Sequence, residues 1–144
     1  MGYTYNYPRP AVTTDCLVFT RPKKKNHLLL IQRDQAPFKG MWALPGGFVE
    51  IEEDITNGAY RELEEETGIR NIILYQFKTF GEVNRDPRGR TISIVYYGIV
   101  HPEETSLQAG SDAKSARWFT IDNLPELAFD HNKIINEAIE ILPI

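Results

Sequence analysis

Two apolar runs, Ala11–Phe19 and His27–Arg33, predict the first strands of the chain. A basic turn through Pro22, Lys23, Lys24 and Lys25 joins them, and lysines in such a turn read as a solvated loop. Ahead of them, Tyr3-Thr4-Tyr5-Asn6-Tyr7-Pro8-Arg9-Pro10 is too rich in proline for a helix and predicts an extended arm. Pro37 to Gly47 is broken by glycine and proline and reads as loop with short extended pieces. From Asp54 to Thr67 the period changes: Ile55, Ala59 and Leu63 recur every four residues, and Gly68 stands where a C-terminal cap is expected. Strands are predicted again at Ile72–Phe80 and Thr91–Val100, separated by the charged Gly81–Arg90 connection. A short strand at Ala116–Phe119 leads through a turn at Pro125 to a helix near Asp130–Leu142. Its predicted buried side is Ile134, Ile135, Ala138, Ile139 and Leu142. Strands and helices interleave while hairpin-like neighbours also occur, so the expected fold is α/β, a mixed sheet with helices packed on its faces.

At 144 residues the chain fits a single domain, 1–144, long enough to bury a sizeable core. A net charge of -4 argues against a general nucleic-acid binder, which needs a basic face. One cysteine, Cys16, excludes an internal disulfide framework and a cysteine-rich zinc site; in its apolar stretch it reads as a buried structural thiol. No apolar run approaches the roughly 20 residues needed to span a bilayer. The N-terminus has no charged-then-apolar signal pattern, so a cytoplasmic protein is expected.

The acids are unevenly spread. Glu50, Glu52, Glu53, Asp54, Glu62, Glu64, Glu65 and Glu66 fall in one short segment against the single base Arg61. Helical spacing puts Glu62, Glu65 and Glu66 on neighbouring positions of one face. Two like charges about 4 Å apart repel by on the order of 4 kcal/mol at an effective dielectric near 20. Solvation, a basic partner, raised pKa values or a bound cation relieves that repulsion, and hard divalent cations prefer such oxygen donors. The Ile55, Ala59, Leu63 stripe pins the helix to a core, which limits free solvation. Gly46 and Gly47 just upstream let backbone approach a ligand without a Cβ in the way.

Gly47, five residues, Glu53, seven residues and then Arg61-Glu62-Leu63-Glu64-Glu65-Glu66-Thr67-Gly68-Ile69 resembles the Nudix hydrolase signature at every defined position. The resemblance implies an α/β/α sandwich across essentially the whole chain. It implies hydrolysis of a nucleoside diphosphate linked to another group, with Mg2+ (or Mn2+) bound. Glu62, Glu65 and Glu66 match the family's metal-binding carboxylates and the Gly46 carbonyl its backbone ligand. Glu53 matches the glutamate that supplements this cluster, and Arg61 the arginine that holds a glutamate in place. The general base varies within the family; Glu53, Glu82 and Asp112 are candidates.

Substrate contacts must come from elsewhere. Arg33, Arg88 and Arg90 fall in or beside loops, and guanidinium forks suit phosphates. Arg85 reads instead as a surface arginine. Phe129 is placed either to stack on a base or to fill a core, and Asp130 to cap the last helix. Phe38-Lys39-Gly40-Met41-Trp42-Ala43-Leu44-Pro45-Gly46-Gly47-Phe48-Val49-Glu50, the Asp86–Arg90 turn and Leu127-Ala128-Phe129-Asp130-His131 resemble the ADP-ribose pyrophosphatase branch. The reaction so implied is ADP-ribose plus water to AMP plus ribose 5-phosphate, on a small-molecule nucleotide without nucleic acid or membrane as partner. Alternatives are a nucleoside triphosphate substrate such as an oxidised guanine nucleotide, and a Nudix-like domain that senses ADP-ribose without cleaving it. Such sensors continue into a winged helix, and a chain ending at Ile144 with all its carboxylates present favours an enzyme. The tyrosine-rich arm and apolar last helix suit a homodimer as well as ordinary packing.

Overall fold

The structure is a computed structural model and describes residues 2–21, 26–101, 103 and 113–143. The lysine turn at 22–25 and Asp112 lie outside the described residues. The order of elements is β1 (Ala11–Thr20), β2 (His27–Arg33), β3 (Trp42–Ala43), β4 (Gly46–Phe48), α1 (Ile55–Thr67), β5 (Tyr75–Phe80), β6 (Thr91–Ile99), β7 (Ala113–Thr120) and α2 (His131–Ile141).

β1 lies parallel to β6 from Ala11 beside Thr91 to Phe19 beside Ile99. The other strand pairs are antiparallel, giving a mixed sheet. Successive residues of β1 serve opposite faces. Cys16 and Val18 pack with Ala59 and Leu63 of α1, while Leu17 and Phe19 pack with Ile134, Ile135 and Ala138 of α2. β2 and β6 divide likewise, with Leu29 and Tyr96 toward α1 and Leu28, Leu30 and Val95 toward α2. A strand covered on both sides needs apolar residues throughout, which is why these runs lack a polar alternation. The result is an α/β/α sandwich.

α1 ends as its sequence predicts: Gly68 adopts a left-handed φ of 81°, and its N–H bonds the carbonyl of Glu64. Two positions differ from the apolar pattern. Ile55, in the first turn of α1, is 39% exposed, and Ile139 of α2 is 37% exposed, because each sits at the edge of the stripe that meets the sheet. β5 starts three residues later than the apolar run, since Ile72 and Leu74 already turn into the core beneath α1. Among the described residues no helix is long and apolar enough to cross a membrane.

β1 changes partner along its length. It meets β2 only at its far end, through Phe19 beside Leu28 and Thr20 beside His27. Toward its start it pairs instead with β4, through Thr13, Thr14 and Asp15 beside Phe48, Gly47 and Gly46. Toward its end β2 pairs with β3 instead, through Ile31 and Gln32, while β7 accompanies it from His27 to Arg33. The sheet therefore splits between the beginning of β1 and the end of β2, and the split opens a cleft.

Candidate active site

The acidic wall of this cleft is built on α1 and β4. Arg61 is its hub. Its Nε donates to Glu53 Oε2 at 2.6 Å and its Nη2 to Glu53 Oε1 at 3.0 Å, a bidentate pair. Its Nη1 donates to Glu62 Oε1 at 2.8 Å and Glu65 Oε2 at 3.2 Å, and its Nη2 also reaches the Phe48 carbonyl at 3.2 Å. Hydrogen bonding from Arg61 holds the Glu53 carboxyl below its ordinary value, and these carboxylates push Arg61 further up. Glu66 is buried and accepts the Gly46 N–H at 2.7 Å, tying α1 to β4. Gly47 is a steric requirement here: a Cβ would lie 2.6 Å from the Glu62 carboxyl carbon. Gly46 is equally constrained, since a Cβ there would lie 2.1 Å from the Thr14 carbonyl oxygen.

Among the described residues no three acidic, histidine or cysteine side chains converge closely enough to enclose a metal ion. The space between Glu62 and Glu65 is bridged by the Arg61 guanidinium instead. The donors expected to hold a cation are nonetheless gathered within one turn of α1 and the glycine pair facing it, and all are hard oxygen donors, the type that magnesium and manganese take.

The opposite wall is basic and aromatic. Arg33 ends β2 at a register shift against β7, an irregularity that re-aims a strand's side chain. Its Nε bonds the Pro37 carbonyl at 2.8 Å, and its guanidinium lies 4.9 Å from the centre of the Phe129 ring. Arg88 lies over the same ring at 4.7 Å and over Phe48 at 4.6 Å. Asp86 fixes it, accepting from its backbone N–H at 2.9 Å, its Nε at 3.1 Å and its Nη2 at 2.8 Å. Burial pushes the Asp86 carboxyl up, but these bonds and the Arg88 and Arg85 charges outweigh it and leave it below the ordinary value. Phe129 itself adopts a left-handed φ of 53°, unusual for a bulky side chain, braced edge-on by Phe38 at 4.9 Å.

The cleft between the walls has a narrow inner part of about 50 Å³ and an outer part of about 320 Å³. Arg33, Gly46, Gly47, Glu66 and Arg88 border both. Asp15, Arg85, Asp86, Phe129 and His131 line the inner part, and Phe48, Glu50, Arg61 and Glu62 the outer.

The NUDIX domain family matches residues 9–138. The chain belongs to the Nudix family. It is 45% identical to the ADP-ribose pyrophosphatase of Methanocaldococcus jannaschii over 91% of its own length and 74% of that protein's. It is 35% identical to the ADPR responsive transcriptional repressor NtrR of Acinetobacter baylyi over 92% of this chain, spanning 54% of that relative. In structure it is similar to the NUDIX domain of Shewanella oneidensis NrtR complexed with ADP ribose. That likeness has a TM-score of 0.87 and 29% identity, and covers 94% of this chain and 90% of that one.

Within this Nudix chain, Arg61 holds Glu53, Glu62 and Glu65, and Glu66 holds Gly46; Gly46, Arg61, Glu62 and Glu66 border the cleft, whereas Glu53 and Glu65 do not. Arg33, Arg88 and Phe129 meet on the facing wall. Arg90 does not join them: its Nη1 turns to the Glu82 carbonyl at 3.4 Å, and it borders a separate shallow depression beside Val83 and Pro87. The Asp86–Arg90 turn thus presents one arginine to the cleft, because Gly89, at a φ of 147°, separates the two. Glu82, a candidate base, is ion-paired with Lys133 and lies outside the cleft lining.

The sequence predicts Arg85 on the surface, but its side chain is 5% exposed. Its Nε and Nη2 donate to Asp130 at 2.9 and 2.7 Å. That pairing also removes Asp130 from side-chain capping of α2, although its position is the N-cap. Asp15 and Gln35 are further cleft residues that the sequence did not single out, while Glu50 and His131 stood in it only as members of longer segments, without a role of their own. Asp15 is a lone acid inside the apolar run of β1, the one signal that pointed toward it.

Proposed function

We propose that this chain is a divalent-metal-dependent pyrophosphohydrolase that converts ADP-ribose and water to AMP and ribose 5-phosphate. The observation that carries the reading is the juxtaposition, across one cleft, of Glu62, Glu66 and Arg61, with Glu53 and Glu65 also bonded to Arg61, and a facing wall of Arg33, Arg85, Arg88 and Phe129. The identity to an ADP-ribose pyrophosphatase supports the choice of substrate.

In this reading Glu62, Glu65, Glu66 and the Gly46 carbonyl hold the cation, magnesium or manganese. When bound, the ion supplies Lewis-acid stabilisation of charge on the phosphate oxygens and acidifies water. Arg61 keeps Glu53 ionised and oriented beside the cluster, and shares Glu62 and Glu65 with the incoming ion. Arg33 and Arg88 supply fixed guanidinium forks for the diphosphate, held in place before substrate arrives by Pro37, Asp86 and Phe129. Phe129 offers a ring for stacking. Water, giving up a proton to a base, adds to one phosphorus and the bridging P–O bond to it breaks; the bridging oxygen leaves with the other phosphate, so that AMP and ribose 5-phosphate are the two products.

A second reading is a domain that binds ADP-ribose without cleaving it, favoured by the likeness to NtrR and NrtR. The complete set Glu53, Glu62, Glu65 and Glu66 supports turnover instead. The deciding experiment is hydrolysis of ADP-ribose, NADH, sugar nucleotides, dinucleoside polyphosphates and nucleoside triphosphates with Mg2+ or Mn2+, products separated by chromatography. AMP and ribose 5-phosphate from ADP-ribose as preferred substrate are expected. Saturable binding of ADP-ribose without products would establish the sensor, and a preference for triphosphates would overturn the substrate.

A further inference from the structure

His131, the first residue of α2, is buried and is assigned no role by the carboxylate cluster. Its Nδ1 accepts the Leu44 N–H at 3.0 Å, across 87 residues of sequence. An imidazole that accepts at Nδ1 carries its proton on Nε2, and that nitrogen faces Asp15 Oδ1 at 3.7 Å. Leu44 begins the ribbon Leu44-Pro45-Gly46, which runs into the glycine pair facing α1. Two further polar groups of that ribbon are also occupied. The Pro45 carbonyl accepts the Cys16 N–H at 2.8 Å, and the Gly46 N–H goes to Glu66 at 2.7 Å. Pro45 fixes one torsion between them.

We infer that His131 is a positioning residue: by fixing Leu44 it sets the direction of the Gly46 carbonyl that the cleft offers to a cation. Three anchors hold a ribbon of three residues. The Cys16 anchor comes from β1, the Glu66 anchor from α1 and the His131 anchor from α2, so the ribbon is located by both helices and the sheet. Without the imidazole the buried Leu44 N–H would lose its acceptor, and the ribbon would shift to recover one. α2 thereby shapes the metal-facing backbone while contributing no ligand. The cation role of Gly46 rests on the proposed hydrolase function; the Leu44 anchor stands without it.

The test compares three variants with the parent. Asn places an amide oxygen near the position of Nδ1, whereas Gln reaches the position of Nε2, so His131→Asn restores the acceptor for Leu44 and His131→Gln does not. His131→Ala removes both. Binding of Mn2+ alone is measured by calorimetry, exchange of the Leu44 and Gly46 amides by NMR, and kcat and KM with ADP-ribose at subsaturating Mn2+. Expected are near-parental values for Asn. For Gln and Ala, Mn2+ affinity falls about tenfold to a hundredfold, as when outer partners of metal ligands are lost. Both also show faster Leu44 exchange and a lower kcat with KM nearly unchanged. Parental Mn2+ affinity in Gln and Ala despite fast Leu44 exchange would overturn the inference. Rescue by Gln but not Asn would overturn it too, placing the role at Nε2, and so would a parent that binds no Mn2+. If the alanine variant fails to fold, the Asn and Gln pair decides. A parent that binds Mn2+ but leaves ADP-ribose intact would sink the proposed function alone, since the cation and amide comparisons do not depend on turnover.

Discussion

The two walls of the cleft solve opposite electrostatic problems. On the α1 side, Arg61 is shared among Glu50, Glu53, Glu62 and Glu65, one positive charge against four negative ones. On the β2 and α2 side, Arg85 and Arg88 are each matched to one aspartate, while Arg33 rests against a carbonyl and a ring. The first wall carries more carboxylate than its arginine balances. The second is nearly neutral, so its arginines stay fixed without an anion and remain able to bind one. A cation completes the first wall, and a phosphate adds to the second without rebuilding it.

The largest effect should come from breaking the acidic wall. Glu66→Gln keeps an acceptor for Gly46 but removes one charge, and should lower kcat by on the order of a hundredfold to a thousandfold, the scale for losing one electrostatic stabiliser of a transition state. Its melting temperature should stay within a few degrees. Steady-state kinetics over a Mn2+ series check this, and turnover that persists in excess EDTA would remove the cation altogether. Next is Arg85→Ala, which strands Asp130 in a mostly buried position. A loss of about 3 kcal/mol in unfolding free energy is expected by urea titration, because one partner of a buried pair is left behind; a loss under about 1 kcal/mol would make the pair peripheral.

Arg88→Ala sharpens the comparison from the basic side. A charge-assisted bond contributes roughly 1.5–3 kcal/mol, so kcat/KM for ADP-ribose should fall about tenfold to a hundredfold while Mn2+ affinity stays put. Arg90→Ala is the control, expected within about twofold of the parent because its side chain points away. Equal losses in both would return Arg90 to the cleft.

The smallest effect is with pH. Burial and the Arg85 and Arg33 charges press His131 below the ordinary imidazole value, against the opposing pull of Asp15 and Asp130. The unfolded chain then binds more protons than the folded one at mildly acid pH. Stability from this residue is complete above about pH 6.5 and declines as pH falls from there toward the depressed folded value. Chemical denaturation from pH 7.5 to 5 should show a steeper acid loss for the parent than for His131→Asn, which cannot titrate there. Equal slopes would place the loss elsewhere.

Much of the fold and of the acidic wall was legible in the sequence because its cause is local. The spacing Ile55, Ala59, Leu63 and the cap at Gly68 mark α1, and the same periodicity places Glu62, Glu65 and Glu66 together. The strands follow from continuous apolar runs, and β2 matches its predicted bounds. What the sequence hid was tertiary. Arg85 looks solvated until Asp130, 45 residues away, is brought beside it. Arg88 and Arg90 look equivalent until the glycine between them turns one aside. Leu44 and His131 have no local pattern linking them, because a single hydrogen bond between a backbone amide and an imidazole leaves no periodicity.

The parallel pairing of β1 with β6 sets the timing of the molecule as well as its shape. Ala11 lies beside Thr91, so the central ladder closes a loop of about 80 residues. Closing such a loop costs about 4 kcal/mol of chain entropy from the logarithmic dependence on length. Hairpins such as β5 with β6 meet over far shorter separations. Assembly should therefore begin with those local pairs, and β1 should dock late. Because Asp15, Leu44 and His131 lie on opposite sides of that closure, the cleft is among the last places to take shape. A ribosome must deliver the chain through Phe129 and Asp130 before an acidic wall and a complete basic wall can face each other.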